Sequence, residues 1–120
     1  MSDGAPSYWI VSALRGHRDG YGECIARGHW QPDPQWLAGL TGPRPGDRIA
    51  LRYRPGHAAP HIIVRALGVV DDGGPDPDGA LPVRWLLHDL RRIVPTDRCR
   101  RPVEGPLAAA DPLVPAVFLL

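Results

Sequence analysis

Alternation of apolar and polar residues along the chain predicts a set of short β-strands. Residues 7–13 are aromatic and β-branched, residues 48–54 alternate charged and apolar side chains with a period of two, and residues 61–70 form the longest β-forming run. Gly68 marks a bulge or bend in that run. The alternation in 48–54 predicts one buried face and one face of arginines. Further strands are expected at 81–86 and 91–95.

Helical signals are short, and turn signals are frequent. Residues 19–28 can hold one or two helical turns closed by Gly28, and residues 35–40 offer another brief helical piece. The run 71–79 is rich in Asp, Gly and Pro, so it is expected to be an exposed connection between strands. With 15 Pro and 14 Gly among 120 residues, the chain favours many short strands over a helical bundle. A mainly β, α+β domain of about five to six strands follows.

Length and composition indicate one folded domain. The chain is 43% hydrophobic and 22% charged, which is typical of a folded protein rather than a disordered one. We expect the domain to span residues 7–105. From Leu107 onward the sequence is Ala-, Leu- and Pro-rich without a clear period. Residues 106–120 are therefore expected to be a tail, a linker to another domain, or a docking segment.

Charge and cysteine usage exclude few functions. The net charge is +1, so nucleic-acid binding has to be argued from local clusters. Cys24 and Cys99 have no partner at metal-ligand spacing, and no signal peptide precedes the first strand, so we expect a cytoplasmic protein with reduced thiols. No apolar run approaches the roughly twenty residues of a membrane span. A membrane partner is not expected.

Catalytic signals are weak. The chain has no Gly-rich phosphate loop, no paired cysteine motif, and no Ser or Cys nucleophile with an evident base. Its five histidines are scattered. We therefore expect a protein that is not an enzyme and that uses no cofactor and no metal.

Four motifs follow one another along the chain: Tyr8-Trp9-Ile10-Val11, the stretch 19–28 followed by His29-Trp30, Pro45-Gly46-Asp47-Arg48-Ile49-Ala50, and Arg65-Ala66-Leu67-Gly68-Val69-Val70. A fifth, Asp78-Gly79 before Val83-Arg84-Trp85, comes after them. This order resembles EVE-like domains of the PUA superfamily, closest to the EVE-like domain that precedes the GTPase of modified-cytosine restriction systems. The resemblance covers residues 7–105. The loop after Arg54 is shorter and richer in Ala than the family's basic loop.

The resemblance implies a PUA-like mixed β pseudo-barrel with short helices. It implies a binding module that recognises a modified base in DNA, methylated or otherwise modified cytosine, by flipping the base into an aromatic pocket. Such a module is the specificity part of a restriction or defence system. Its partners would be the nucleic acid, with modified DNA favoured over RNA, and a GTPase or nuclease effector subunit or fused domain.

A base pocket needs flat aromatic walls and a few placed hydrogen-bonding groups. Three of the candidates also have an alternative structural role. Trp9 would pack in the core, Trp30 would fill the end of the barrel, and Asp19 would be an ordinary turn residue or helix cap. The carboxylate of Asp19 can accept from the exocyclic amine of cytosine. The expected pocket residues are Trp9, Ser12, Asp19, Tyr21, Trp30 and Tyr53.

Arginines at a period of two suggest contacts with the nucleic-acid backbone. Arg48, Arg52 and Arg54 would share one strand face, with Arg65 beside them on the partner strand. A merely solvated face is the alternative interpretation. A second basic cluster lies within residues 91–101, where it could contact phosphates or pair with the acidic loop 71–78.

Two other functional classes stay open. One is a protein- or nucleotide-binding PUA-like module linked to RNA metabolism, with the aromatic residues in the core and the C-terminal segment as the docking element. The other is an enzyme of RNA or nucleotide metabolism, which the missing catalytic residues disfavour.

Overall fold

The computed structural model describes residues 5–15, 18–31, 42–56, 58–77 and 79–118. Within them the chain is a mainly β, α+β pseudo-barrel, which confirms the predicted fold class. The expected helical piece at 35–40 lies outside the described residues. The elements are β1 (Tyr8–Ser12), β2 (Leu14–Arg15), β3 (Arg18–Asp19), α1 (Tyr21–Arg27), β4 (His29–Trp30), β5 (Arg48–Tyr53), β6 (His61–Val70), β7 (Leu81–Leu87), β8 (Arg92–Pro95), β9 (Val103–Leu107) and α2 (Leu113–Phe118).

One curled sheet organises the fold. Six strands follow the order β4-β7-β6-β5-β1-β9, and β8 pairs with the first half of β6. The pair β1 and β5 is parallel, with Tyr8 opposite Arg48 and Ser12 opposite Arg52. The neighbouring pairs are antiparallel. Because β1 and β5 run in the same direction, their carboxyl ends meet at one end of the sheet.

Both faces of the sheet are covered by apolar residues. Trp9 and Val11 of β1 lie in one core, whereas Ile10 between them lies in a second core on the opposite face. In β5, Leu51 joins the first core and Ala50 the second. Arg48, Ala50 and Arg52 share the second face of β5, as the alternation predicts, but this face is covered: Ala50 packs in the second core and Arg52 is buried.

Register shifts interrupt the pairing of the long central strand β6. Its register with β5 shifts between Leu51 and Arg52, with Arg65 as the extra residue of β6, and its register with β7 shifts between Leu67 and Gly68. The irregularity predicted at Gly68 is thus present, and its extra residue, Leu86, lies on β7. A Cβ built at Gly68 would lie 2.7 Å from the Arg84 carbonyl oxygen and 2.9 Å from the Trp85 ring. Only glycine lets β7 approach this closely.

The helix predicted in 19–28 is also confirmed. The Asp19 carboxylate accepts a hydrogen bond from the Tyr21 amide (3.0 Å), and α1 ends at Gly28 in the left-handed conformation (φ 65°). The connection 71–79 is exposed where the structure describes it and joins the antiparallel strands β6 and β7, as the sequence predicts.

Residues 106–118 belong to the packed body. Strand β9 pairs with β1 and extends across the domain boundary expected at residue 105. Helix α2 buries Leu113, Val114 and Val117 in the second core. Pro115 fits there because a proline in the first turn of a helix interrupts no intrahelical hydrogen bond. The segment expected as a tail thus covers one face of the sheet.

The buried residue Asp47 joins three backbone segments through its carboxylate and its carbonyl group. One oxygen accepts from the Ser7 amide (3.0 Å), and the other accepts from Trp9 Nε1–H (2.9 Å) and the Arg44 amide (3.0 Å). The Asp47 carbonyl accepts from the Val70 amide (2.8 Å). These bonds hold the entries of β1 and β5 next to the end of β6.

Replacement of Asp47 should therefore destabilise the whole fold. We expect Asp47→Ala to lower the free energy of unfolding by about 3 kcal/mol or more, because three donors lose a charged acceptor and the Trp9 indole is buried. Urea denaturation measures the change. The matched variant Asp72→Ala, in the exposed loop, should stay within about 0.5 kcal/mol of the parent chain. An equal effect of both variants would contradict this role for Asp47.

Two glycine substitutions should have opposite effects. Gly68→Ala should lower the free energy of unfolding by about 1–3 kcal/mol, because its methyl group would overlap the β7 backbone. Gly22→Ala, in α1 and with no atom within 4 Å of the added Cβ, should raise it by up to about 1 kcal/mol. Thermal unfolding of both variants measures these changes. A Gly68→Ala variant with the stability of the parent chain would show that β6 and β7 can separate locally.

Candidate ligand-binding cleft

A cavity of about 280 Å³ opens at the carboxyl ends of β1 and β5. The register that places Ser12 opposite Arg52 brings both strand ends to its wall. We call this cavity the arginine cleft. Its lining residues are Ser12, Ala13, Leu14, Asp19, Arg52, Tyr53, Arg54, Gly56, Arg65, Cys99 and Arg100.

The arginine cleft carries an excess of positive charge. Arg52, Arg54, Arg65 and Arg100 line it, and Asp19 is the one carboxylate among its lining residues. Asp19 pairs with Arg65 (Oδ2 to Nη1, 3.0 Å). A concave surface with this charge favours an anionic ligand.

Arg52 and Arg54 are held by backbone carbonyls. Arg52 is 8% exposed, and its Nη2–H donates to the Arg101 carbonyl (2.7 Å). Arg54 donates to the carbonyls of Ala59 and Arg98. The Nε–H of each side chain is buried and has no acceptor in the described part of the chain. Burial and the nearby charge of Arg54 lower the pKa of Arg52.

Arg65 connects the cleft to helix α1. Its guanidinium carbon lies 3.9 Å from the centre of the Tyr21 ring, a cation–π contact, while its nitrogen holds Asp19. Burial by itself would raise the pKa of Asp19, but hydrogen bonds from Arg65 and from the Tyr21 amide outweigh it and hold that pKa below its ordinary value. Asp19 is therefore ionised at neutral pH.

A second cavity of about 400 Å³ adjoins the arginine cleft. The two share Asp19, Tyr53 and Arg65, and Ile63, Leu90 and Arg91 complete the second one, which we call the Leu90 groove. Tyr53 is 43% exposed and lies opposite Ile63 across the β5 and β6 pair. Its ring is therefore an accessible aromatic surface at the boundary between the two cavities.

Six of the ten predicted site residues meet at the arginine cleft. They come from β1, the β3 hairpin strand, β5 with the residue after it, and β6, so the fold joins segments far apart in the sequence. These residues are Ser12, Asp19, Arg52, Tyr53, Arg54 and Arg65.

The other four predicted residues do not line the cleft. Trp30 is fully buried, and its indole donates to the Ser12 carbonyl (3.0 Å), so it packs the core as a plug. Trp9 is buried and bound to Asp47. Tyr21 is buried beneath Arg65, and its hydroxyl accepts from the Asp89 amide (2.6 Å). Arg48 lies at the opposite end of β5, where it donates to the Gly46 carbonyl.

Some cleft residues were not identified from the sequence. Cys99 is buried at the cleft wall with a left-handed backbone (φ 64°). Burial raises its pKa to about 11, so the thiol is neutral at physiological pH. The one sequence signal is an apolar residue between Arg98 and Arg100. In the same basic segment, Arg98 pairs with Asp111 (2.8 Å) and Glu104 (3.5 Å) and so ties it to the C-terminal region.

A larger cavity, about 660 Å³, lies at the opposite end of the parallel pair. Its walls include Ser7, Trp9 and Asp47, whose polar groups already bind one another, and Arg48, which is held by a carbonyl. Its buried polar groups are therefore occupied, and it contains one predicted cation, Arg48, whereas the arginine cleft contains three. The arginine cleft is the better candidate for ligand binding.

Searches for other kinds of site within the described residues were negative. No group of three or more His, Cys, Asp or Glu side chains there is placed to hold a metal ion, and no helix there has the length and apolar character to cross a bilayer. Comparison with known protein families, curated proteins and solved structures returned no match. The resemblance to EVE-like domains therefore rests on the order of the motifs.

Loss of Arg65 should raise the pKa of Asp19. In Arg65→Gln the carboxylate loses its charged hydrogen bond while its burial persists, so its titration midpoint should move upward; carboxyl-carbon NMR measures this. The Asp19–Arg65 ion pair stabilises the fold at pH values above the pKa of Asp in the unfolded chain. This contribution is lost as the pH falls through the pKa of Asp19 in the folded protein, which is lower. An unchanged midpoint in Arg65→Gln would contradict the assignment.

Proposed function

We propose that the protein is a non-enzymatic binding module that recognises a modified base in nucleic acid, with modified cytosine in DNA as the leading candidate. The observation that carries the proposal is the convergence of Tyr53, Asp19 and four arginines on one cleft. An aromatic face, a carboxylate and positive charge are the groups that bind a base and its flanking phosphates.

The size of the cavities supports a ligand of nucleotide size. Pockets for whole drug-sized ligands span roughly 300–1,000 Å³. The arginine cleft, at about 280 Å³, lies just below this range, and the Leu90 groove continues it past Tyr53. One base with its attached phosphate could occupy the two cavities together. A duplex would have to release that nucleotide from its stack first.

Each cleft residue has a role in this proposal. Tyr53 stacks on the base, a contact worth about 1–3 kcal/mol. Asp19 keeps acceptor capacity beyond its bonds to Arg65 and Tyr21, because a carboxylate has about four lone-pair sites. It can therefore accept from the exocyclic amine of cytosine. The Ser12 hydroxyl oxygen accepts from the Leu14 amide (3.1 Å), so its hydrogen is available to donate.

The biological setting comes from the resemblance. We propose that the module supplies specificity to a cytoplasmic restriction or defence system whose effector is a GTPase or a nuclease. Exposed apolar side chains fit a protein partner as well: Leu86 is 58% exposed, and Ile93, opposite Ile63 of the Leu90 groove, is 55% exposed. These residues also favour the second candidate function, a protein-binding module without a nucleic-acid ligand.

Binding to labelled oligonucleotides tests the proposal. Single- and double-stranded DNA and RNA carrying cytosine, 5-methylcytosine or 5-hydroxymethylcytosine would be titrated with the protein, and fluorescence anisotropy would be recorded. We expect a preference for one modified strand and a loss of about tenfold or more in affinity for Tyr53→Ala, because the stacking surface is removed.

Leu86→Ala is the matched control, since it removes an exposed apolar side chain outside both cavities. It should bind like the parent chain. Equal affinity for modified and unmodified strands would refute base reading. No binding to any strand would leave the protein-binding module as the better account.

A further inference from the structure

Two guanidinium groups of the arginine cleft lack a negatively charged partner in the described part of the chain. Arg52 and Arg54 both line the cleft, and the hydrogen bonds that they make go to carbonyl oxygens. Carbonyl groups satisfy donors but neutralise no charge. The two Nε–H groups are buried without an acceptor.

This arrangement is unfavourable in the free protein. Arg52 is enclosed and Arg54 is half-buried, so a charge is removed from water without an ion pair, and the two like charges repel each other. The chain pairs other arginines with carboxylates, as in Arg65 with Asp19 and Arg98 with Asp111. The neighbouring Cys99 thiol is neutral, and Glu104, whose charge acts on Arg52, forms its ion pair with Arg98. Within the described residues, Arg52 and Arg54 therefore have no ion-pair partner of their own.

We propose that the inner wall of the arginine cleft is an oxyanion site, in which a phosphate or a carboxylate of the ligand becomes the counter-ion of Arg52 and Arg54. The inference rests on the proposed function where the oxyanion belongs to a nucleotide. Guanidinium groups bind phosphate and carboxylate through two parallel hydrogen bonds, and a small rotation of each side chain would present the unused Nε–H groups. The Ser12 hydroxyl, opposite Arg52 in the sheet register, is a further donor.

The oxyanion site changes which modified base the cleft should favour. A methyl group has no acceptor for a buried guanidinium, whereas a carboxyl group at position 5 of cytosine carries a negative charge. The same chemistry is offered by a backbone phosphate beside the base. The oxyanion is therefore carried either by the base or by the backbone, and free anions separate this question from nucleic-acid binding.

The first experiment uses inorganic phosphate and acetate with the whole protein. In ¹H–¹⁵N spectra, phosphate should shift the Nε–Hε signals of Arg52 and Arg54 and leave that of the exposed Arg84 in place. Phosphate should also raise the Tm relative to chloride at equal ionic strength, because a ligand of the folded state stabilises it. Arg52→Met should abolish the rise, and the control Arg84→Met should retain it.

If Arg52→Met does not fold, the ¹H–¹⁵N spectra of the parent chain still test the oxyanion site. Unchanged Arg52 and Arg54 signals in saturating phosphate and in acetate would overturn the oxyanion site. So would a phosphate-dependent rise in Tm that Arg52→Met retains in full. Shifts with acetate as well as phosphate would support a site that accepts both oxyanions.

The second experiment identifies the source of the oxyanion. Oligonucleotides that differ at one position, cytosine or 5-carboxylcytosine, would be bound to the parent chain and to Arg52→Met. Tighter binding of the carboxylated strand, lost in the variant, assigns the site to the base; equal binding of both strands, weakened about tenfold in the variant, assigns it to a backbone phosphate.

The two proposals fail in different ways. Phosphate binding without binding of any strand would retain the oxyanion site and refute the nucleic-acid function. Strands that bind the parent chain and Arg52→Met equally well would overturn the oxyanion site and retain the function.

Discussion

The hydrogen bonds of the Asp47 carboxylate are the interaction on which the rest of the structure depends. They join the backbone before β1, the Trp9 indole inside β1 and the turn before β5. Strands β1 and β5 are parallel and are separated by more than thirty residues of chain, so no tight turn can set their register. The register is set instead by the buried Asp47 carboxylate, which accepts hydrogen bonds from Ser7, Trp9 and Arg44.

The position of the arginine cleft follows from this register. Once Tyr8 lies opposite Arg48, Ser12 must lie opposite Arg52 at the other end of the pair. The side chains that end these strands then meet Asp19 from the β3 hairpin strand and Arg65 from β6. The two ends of the parallel pair differ in their electrostatics. At the Asp47 end the carboxylate is hydrogen-bonded to donors, whereas at the cleft end Arg52 and Arg54 bind carbonyl groups and form no ion pair with any residue that the structure describes.

Burial separates the aromatic residues into two groups that the sequence does not distinguish. Trp9, Tyr21 and Trp30 lie in the first core, and Tyr53, at the end of its strand, is half exposed. Tyr21, Trp30 and Tyr53 all occur between polar or small residues in the sequence. An aromatic side chain has a large apolar surface, so the fold buries it wherever the sheet is covered. Tyr53 escapes burial because the described cores do not extend beyond the end of β5.

The period-two strands, the irregularity at Gly68, the Gly28 helix end and the 71–79 connection were all predictable from the sequence, because each depends on residues close together in the chain. The burial of both faces of β5, the enclosure of Arg52 and the packing of 106–118 against the sheet were visible only in the folded chain. The same holds for the position of Cys99 in the cleft wall. These outcomes depend on which distant segment packs against which face, and a local pattern carries no information about the partner.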